Sequence, residues 1–240
     1  MKFPQTLITG KLIKRYKRFL ADVELDSGEI ITAACPNTGS MLGCNMPGSP
    51  VWLSSSESPT RKYKHTWELV EASTGVLVGI NTSLPNRLVR EAIELNVIKE
   101  LQGYSEIKSE VRYGHENSRI DLLLDGKTKS PPCYVEVKNV TAAVDDGIAL
   151  FPDAVSERGS KHLRELMAMV AEGFRAALVF CVQRSDVNEV RPADSIDPVY
   201  GATLRTAIAA GVEVLAYSAA LSPIAIVLEK KIPVVCPELK

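Results

Sequence analysis

The spacing of apolar residues changes near residue 81, and this change limits the possible folds more than any other feature of the chain. Residues 1–80 form short runs of alternating apolar and polar residues, separated by turn-forming residues and with little helical spacing. One turn, Asp26-Ser27-Gly28, predicts a β-hairpin between two such runs. About five strands and one long irregular stretch, residues 35–50, fit a small barrel. We therefore predict an all-β, OB-fold-like barrel over residues 1–80.

Residues 81–240 mix helical and strand spacing. The predicted elements, in chain order, are helix 84–97, strands 107–113, 119–124 and 133–140, helix 161–171, strand 176–182, helix 202–210 and strand 212–217. A proline near the start of the first helix and glycines after the later two support these boundaries. The order predicts a second domain over residues 81–240, an α/β mixed sheet flanked by helices.

Composition excludes several classes of protein. A hydrophobic fraction of 45% and a charged fraction of 24% are typical of folded globular proteins. The longest apolar stretches fall well short of the roughly 18 residues that a membrane span requires, and no apolar leader segment precedes Lys11. We therefore expect a cytoplasmic protein with no membrane partner.

The five cysteines are scattered along the chain without a CxxC pair. This pattern predicts reduced, mostly buried thiols rather than disulfides or a structural zinc site.

Two neighbouring predicted strands carry an acidic cluster. Asp121 opens one strand, and Glu136 and Lys138 lie in the next. Side chains alternate along a strand, so Glu136 and Lys138 share a face, and Asp121 joins them if the two strands pair. An active site of the PD-(D/E)xK nuclease type is one interpretation. A salt-bridge ladder on a half-exposed strand is the alternative.

Two close carboxylates repel each other unless a cation lies between them. Mg²⁺, with Mn²⁺ as an alternative, prefers such oxygen ligands and retains several waters. Such an ion activates water, while Lys138 offers positive charge to a phosphate. On the preceding helix, Glu91 or Glu94 is a candidate for a further acidic ligand, although a solvated helical face explains both equally well.

Six stretches resemble the sugar fermentation stimulation protein A (SfsA) family. They are Arg15-Tyr16-Lys17-Arg18-Phe19, Cys35-Pro36-Asn37-Thr38-Gly39-Ser40-Met41, residues 79–86, Ser118-Arg119-Ile120-Asp121, Val135-Glu136-Val137-Lys138-Asn139-Val140-Thr141, and residues 151–163. The resemblance implies an OB-like domain joined to a PD-(D/E)xK nuclease-like domain, and a DNA-binding protein proposed to regulate sugar (maltose) metabolism. It implies Asp121, Glu136 and Lys138 as the nuclease motif and Glu91 as the helix acid. Ile120 stands where the motif name has proline.

The segment after the acidic strand is also part of the resemblance. Arg158, Lys161 and His162 are candidates for binding phosphate oxygens near the metal. Helix capping by Ser160 is the alternative explanation of this segment.

Basic residues in the first domain form two clusters with aromatic residues among them. The predicted nucleic-acid-binding residues are Lys14, Arg15, Lys17, Arg18, Arg61, Lys62 and Lys64, with Tyr16, Phe19, Tyr63 and Trp67 interleaved. Basic side chains follow phosphates and aromatic faces stack on bases. The alternative is that Tyr16 and Phe19 fill the barrel core and the charges are merely solvated.

Two functions follow from these patterns. The first is largely non-specific binding of single- or double-stranded DNA, since no helix-turn-helix pattern occurs. The second is Mg²⁺-dependent hydrolysis of DNA by Asp121, Glu136 and Lys138.

Overall fold

The first five strands form a closed barrel with OB topology, and a short sixth strand pairs with the fifth. The computed structural model describes residues 1–72, 75–126, 130–144 and 147–238. The strands are β1 (Ile8–Tyr16), β2 (Leu20–Leu25), β3 (Ile30–Ala34), β4 (Pro50–Ser55), β5 (His65–Glu71) and β6 (Leu77–Gly79). Their order is β3-β2-β1-β4-β5-β6, and a parallel pairing of β3 with β5 closes the first five strands into a barrel. The predicted OB-type barrel is confirmed.

Aromatic residues of the barrel divide between core and surface. Trp67 is fully buried, and its indole Nε1 donates a hydrogen bond to the carbonyl of Leu69 at 2.9 Å. Phe19 is 50% exposed, and Tyr16 is half-buried with its hydroxyl donating to Asp22. The alternative that Phe19 fills the barrel core is therefore wrong, and Trp67 is not free to stack on a base.

The second part of the chain forms a mixed sheet with helices on both faces. Its elements are α1 (Pro85–Glu94), a 3₁₀ turn (Lys99–Leu101), β7 (Glu106–Tyr113), β8 (Ser118–Asp125), β9 (Cys133–Val140), β10 (Ala143–Val144), β11 (Ile148–Phe151), α2 (Glu157–Ala171), β12 (Arg175–Val182), β13 (Glu189–Pro192), α3 (Pro198–Ala209), β14 (Glu213–Leu221) and β15 (Ile226–Ile232). The main sheet has the order β15-β14-β12-β9-β8-β7, in which β9, β12 and β14 run parallel. The predicted mixed sheet is confirmed.

Alternation along β9 separates two cores. Val135 and Val137 pack with α1 on one face of the sheet. On the other face, Leu178 and Phe180 of the neighbouring β12 pack with α2 and α3. The small sheet β10-β11-β13 covers part of that second face.

Several boundaries differ from the predicted ones for identifiable reasons. Helix α2 begins at Glu157, since the Ser156 hydroxyl accepts a hydrogen bond from the Gly159 amide at 3.0 Å; the cap is Ser156, not Ser160. Helix α3 begins at Pro198 after the Asp197 cap. The strands β10, β11 and β13 are only two to four residues long, too short for an alternation pattern to predict them, and the edge strand β15 breaks its alternation with Glu229, Lys230 and Lys231.

The barrel and the mixed sheet share buried contacts. Met1, Leu7 and Leu69 belong to the same apolar cluster as Val135. The Gly79 amide donates to the carbonyl of Gln183 at 2.9 Å. Movement of the barrel relative to the sheet would therefore expose apolar surface.

All five cysteines are free, and four of them are buried, as the scattered pattern predicts. Among the described residues, no helix combines the length and apolar character needed to cross a bilayer.

The division between core and surface aromatics predicts a stability difference. Trp67→Ala should lower the free energy of unfolding by about 3–5 kcal/mol because it leaves a cavity and removes the hydrogen bond from the indole to the Leu69 carbonyl. Phe19→Ala, the matched surface change, should alter it by no more than about 0.5 kcal/mol. Urea unfolding of both variants measures this, and similar losses would contradict the assignment of Trp67 to the core.

Candidate functional site

The pairing between β8 and β9 ends at the acidic residues. Leu122 pairs with Val135 in the antiparallel register, so the next step places Asp121 opposite Glu136. At this point the Asp121 side chain takes the place of a backbone carbonyl as the hydrogen-bond acceptor for β9. Its Oδ2 accepts a hydrogen bond from the Val137 amide at 2.7 Å, and its Oδ1 accepts one from Asn86 Nδ2 at 2.8 Å.

A local distortion of the hairpin directs Asp121. Ile120 and Leu122 pack in different apolar clusters, although residues two apart on a regular strand share a face. On the neighbouring strand, Glu110 lies between the paired residues Ser109 and Val111 and has φ of 57°, in the left-handed region that non-glycine residues rarely adopt. The distortion places the Asp121 carboxylate between α1 and the end of β9.

Glu136 is the most buried charged group of the cluster. Its side chain is 3% exposed, and its Oε1 accepts hydrogen bonds from Lys138 Nζ at 2.6 Å and from His162 Nδ1. Arg158 Nε donates to His162 Nε2 at 3.3 Å, so the imidazole is held from both sides. Within the part of the chain that the structure describes, Glu136 Oε2 is buried without a hydrogen-bond partner.

The two facing carboxyls have pKa values shifted in opposite directions. Burial and the negative charge of Glu136 raise the pKa of Asp121. Burial also acts to raise the pKa of Glu136, but the hydrogen bond from His162 and the positive charge of Lys138 outweigh it, and the pKa of Glu136 is lowered. Neighbouring carboxyls with diverging environments are typical of catalytic and metal sites.

The donor set fits a hard divalent cation. Glu136 Oε2 is a buried oxygen without a partner among the residues that the structure describes, and Asp121 is near enough for the charge of Glu136 to raise its pKa. Among the described residues, no three His, Cys, Asp or Glu side chains form a metal-binding group. The protein would therefore supply two carboxylates, and water, carbonyl or phosphate oxygens would complete the shell, as Mg²⁺ prefers.

The structure does not bring Glu91 or Glu94 to Asp121. Glu91 lies five positions after Asn86, about 140° around the helix. Its carboxylate pairs with the Met1 amine at 2.8 Å. That amine also donates to the carbonyl of Ile226 in β15, four strands away from β8. Glu94 pairs with Arg90 on the exposed side of α1.

The two basic clusters of the barrel lie at the same end. Tyr16 pairs with Leu20, Leu20 with Ala34, and Ala34 with Thr66, so these residues form one row across the strands. The β1–β2 turn, the loop after β3 and the β4–β5 loop all leave from this row. In OB folds the β1–β2 and β4–β5 loops flank the face that binds oligonucleotides.

In the first basic cluster, which spans Lys14 to Arg18, Arg15 stabilises the local structure. Its guanidinium donates to the carbonyls of Arg18, Asn37 and Gly39 at 2.8–3.1 Å and so ties the turn to the loop after β3. Lys17 and Arg18 are exposed at the turn with φ of 49° and 64°. Lys14 lies 3.6 Å from the Asp22 carboxylate.

The second cluster lies in the β4–β5 loop. Arg61 donates to the Thr66 hydroxyl at 2.8 Å and Lys64 to the Ser58 carbonyl at 2.7 Å. Lys62 Nζ lies 5.5 Å from the centre of the Tyr63 ring. Lys62 is therefore the most available cation of this loop.

A cavity of about 300 Å³ separates the barrel loop from the sheet domain. It is lined by Asn37, Thr38, Gly39, Thr82, Asn139, Thr141, Ala142, Leu150, Phe151 and Asp153. Asp153 also holds the barrel loop, because its Oδ2 accepts hydrogen bonds from the Ser40 hydroxyl and the Met41 amide. Asn139 follows Lys138 in β9, so one wall of this cavity is one residue along the strand from the acidic cluster.

A second cavity, of about 370 Å³, lies on the side of His162 away from Glu136. It is lined by Glu110, Arg112, Asn117, Ser118, Arg119, Arg158, Lys161 and His162. The predicted phosphate-binding residues Arg158 and Lys161 are therefore neighbours here. Lys161 also donates a hydrogen bond to the Glu116 carbonyl.

An OB-type barrel joined to a mixed sheet flanked by helices, with a buried acidic cluster where two strands part, defines the class of this protein. The family model for the SfsA N-terminal OB domain matches residues 13–80, and the model for the sugar fermentation stimulation protein RE domain matches residues 83–224. The chain belongs to the sugar fermentation stimulation protein (SfsA) family.

Relatives match along nearly the whole chain. The sugar fermentation stimulation protein homologue of Thioalkalivibrio sulfidiphilus is 63% identical and that of Geobacter metallireducens 59% identical, each over 98% of this chain and at least 98% of the relative. The solved structure of Pyrococcus furiosus SfsA in complex with Ca²⁺ is 28% identical, covers 98% of both chains and has a TM-score of 0.85.

Two residues of the cluster were not among the principal sequence candidates. Asn86 contacts Asp121 directly, but an amide near a helix start carries no recognisable signal. The sequence suggests His162 only as a phosphate ligand at the start of a helix predicted from residue 161, whereas α2 begins at Glu157 and His162 lies on its second turn. The partner it binds, Glu136, became evident only from the packing of α2 against the sheet.

The opposite pKa shifts predict opposite effects of two isosteric changes in metal-free protein. Asp121→Asn should raise the free energy of unfolding at neutral pH by on the order of 1 kcal/mol, because it removes a charge that burial disfavours. The pKa of folded Asp121 lies above the ordinary 3.8, so this cost appears as the pH rises through the raised pKa. Glu136→Gln should instead lower stability, because the Lys138 ammonium loses its buried counter-charge and His162 loses an ionised hydrogen-bond acceptor.

Thermal unfolding with chelator, from about pH 3 to about pH 8, measures both effects. The advantage of Asp121→Asn should disappear at the acid end of this range. A uniform loss of stability in the Asp121→Asn variant at every pH would contradict the assigned environment.

Proposed function

We propose that the protein binds DNA along the surface that joins the basic end of the barrel to the acidic cluster. The observation that carries this proposal is the strand row from Tyr16 to Thr66, which sets both basic loops and the cavity-lining loop at one end of the barrel. Nucleic acid lying across that end would reach the cavity beside Asn139 and the end of β9. In this proposal the two domains have different roles: the barrel binds the DNA strand, and the sheet domain contacts one of its phosphates.

Binding of this type is expected to be largely independent of sequence. The contacts available at the barrel end are lysine and arginine side chains together with the exposed face of Phe19. Lysine and arginine contact phosphates, which are the same at every position, and an aromatic face stacks on any base. The net charge of −1 means that attraction depends on this local surface rather than on the molecule as a whole.

Metal-dependent hydrolysis of DNA is the second candidate function. The observation that favours it is the buried Oε2 of Glu136, which has no partner among the described residues and lies on a carboxylate whose charge acts on Asp121. The Pyrococcus furiosus relative binds Ca²⁺, an oxygen-preferring cation like Mg²⁺. We propose that Asp121 and Glu136 hold Mg²⁺, or Mn²⁺ in its place.

The roles of the surrounding side chains follow from their contacts. A bound ion would activate water and stabilise charge on a phosphate. Lys138, now 2.6 Å from Glu136 Oε1, can turn its ammonium toward a phosphate oxygen, because His162 keeps Glu136 hydrogen-bonded. His162 in turn is held by Arg158, so this pair positions Glu136.

The family name supports a further proposal, that DNA binding in the cytoplasm acts on sugar metabolism, including that of maltose. Deletion and complementation in the source organism would test it. Growth on maltose should change in the deletion strain and be restored by the wild-type chain but not by a chain deficient in DNA binding.

Neutralising the exposed barrel cations should reduce the salt dependence of DNA binding. In Lys17→Gln/Arg18→Gln protein the slope of log affinity against log salt should fall by about 1–2 units, because each lost phosphate contact removes about 0.7–0.9. Lys11→Gln/Lys230→Gln is the matched control. Lys11 pairs with Glu24 at the other end of the barrel, and Lys230 lies on the far edge strand. Equal slopes in both double variants would move the DNA surface elsewhere.

Cleavage should depend on the acidic cluster while binding does not. Asp121→Asn and Glu136→Gln should each reduce Mg²⁺-dependent cleavage of labelled DNA by at least about 100-fold. Binding in chelator should change by less than about threefold, because the main cationic surface lies on the barrel. Uncut DNA with wild-type protein in Mg²⁺ and in Mn²⁺ would leave binding as the function, whereas cleavage retained by both variants would exclude this site.

A further inference from the structure

The cavity on the outer side of His162 carries an excess of positive charge. Four of its eight lining residues are cationic, namely Arg112, Arg119, Arg158 and Lys161. Glu110 is the one acidic residue in the lining. In the described part of the chain, none of the four forms an ion pair with a carboxylate. Arg158 uses its Nε toward His162, which leaves the other end of its guanidinium available.

Two of these cations oppose each other across the hairpin. Arg112 on β7 pairs directly with Arg119 on β8. Like charges at directly opposite positions of an antiparallel pair destabilise the sheet. A bound anion would relieve this repulsion.

A buried hydroxyl of the cavity lacks a partner. Ser118 is 5% exposed, and its Oγ makes no hydrogen bond within the described residues. An unsatisfied buried hydroxyl costs free energy that a ligand oxygen would recover. Ser118 is one of the residues that line the cavity and directly precedes Arg119 in β8.

From these observations we infer that the cavity binds a terminal phosphate monoester. This inference rests on the proposed DNA binding and names the substrate class as DNA with a phosphorylated end. A monoester carries up to two negative charges and three terminal oxygens, whereas an internal phosphodiester carries one charge. Planar guanidinium groups bind such oxygens in pairs, and the volume of about 370 Å³ accommodates the phosphate with its attached sugar.

The location gives the pocket a defined relation to the acidic cluster. His162 lines the cavity and also contacts Glu136, so the pocket and the cluster lie on opposite sides of one imidazole. A terminal phosphate in the pocket would place the adjoining internal phosphodiester near Asp121 and Glu136. The chain would then act at DNA ends rather than within long duplexes.

Binding of three oligonucleotides tests the inference. They share one sequence and carry a 5′-phosphate, a 3′-phosphate or no phosphate, and chelator prevents cleavage. Wild-type protein should bind one phosphorylated form about tenfold more tightly than the unphosphorylated form. Arg119→Gln and Ser118→Ala should each reduce this preference to about twofold or less, whereas Lys230→Gln should retain it.

The two variants are expected to fold. Arg119→Gln removes the repulsion from Arg112, and Ser118→Ala removes a hydroxyl that has no partner, so neither should lower the melting temperature. Equal affinity for all three oligonucleotides, or a preference that persists in both variants, would overturn the inference while leaving DNA binding intact.

Failure of the proposed function is distinguishable from failure of the pocket. If wild-type protein binds none of the oligonucleotides, the DNA-binding proposal fails, and inorganic phosphate then tests the pocket at constant ionic strength. A phosphate-dependent rise in melting temperature that is absent in Arg119→Gln would support the pocket. No rise in the wild-type protein would overturn it.

Discussion

The structure of the site depends on where the β8–β9 ladder stops. If the pairing continued, the Val137 amide would bind a backbone carbonyl and Asp121 would be an ordinary strand residue. Instead the Asp121 carboxylate accepts that amide hydrogen, and the strands separate at the point where Glu136 enters the second core. Two carboxylates thereby lie near each other at a strand end, and the ammonium of Lys138 and the hydrogen bond from His162 stabilise only one of them, Glu136. This imbalance is what a divalent ion would correct.

The barrel contributes position rather than chemistry. Its closed ladder sets both basic loops at one end, and Arg15 and Asp153 fix the loop between them against the sheet domain. The shared apolar cluster around Leu69 and Val135 holds the two parts in one arrangement. A strand of nucleic acid that meets the barrel end would therefore meet a cavity and an acidic cluster at fixed distances.

Much of the fold could be predicted from residue spacing. Alternation and turn residues indicated the barrel, and Cys133–Val140 was predicted with the bounds that the structure has. The placement of Glu136 and Lys138 opposite Val135 and Val137 also followed from alternation. The orientation of Glu91 away from Asp121 could not be predicted from the sequence. It depends on how α1 is rotated about its axis, and that rotation is set by which apolar residues of the helix pack on the sheet. The bond from His162 to Glu136 depends equally on tertiary packing, which no local pattern encodes.

The pairing of residues 1–3 with residues 224–226 affects the order in which the molecule can be completed. The Phe3 amide donates to the carbonyl of Ile224, and the Ile226 amide donates to that of Met1. Barrel contacts join residues that lie within a short stretch of sequence, so the barrel can close while later residues are still being synthesised. Residues 1–3, by contrast, gain the backbone hydrogen bonds of Phe3 and Met1 only when the β14–β15 hairpin has formed at the far end of the chain. The beginning of the chain is therefore among the last parts to become ordered, and until then the apolar face that Met1 and Leu7 cover stays open to chaperones and to other chains.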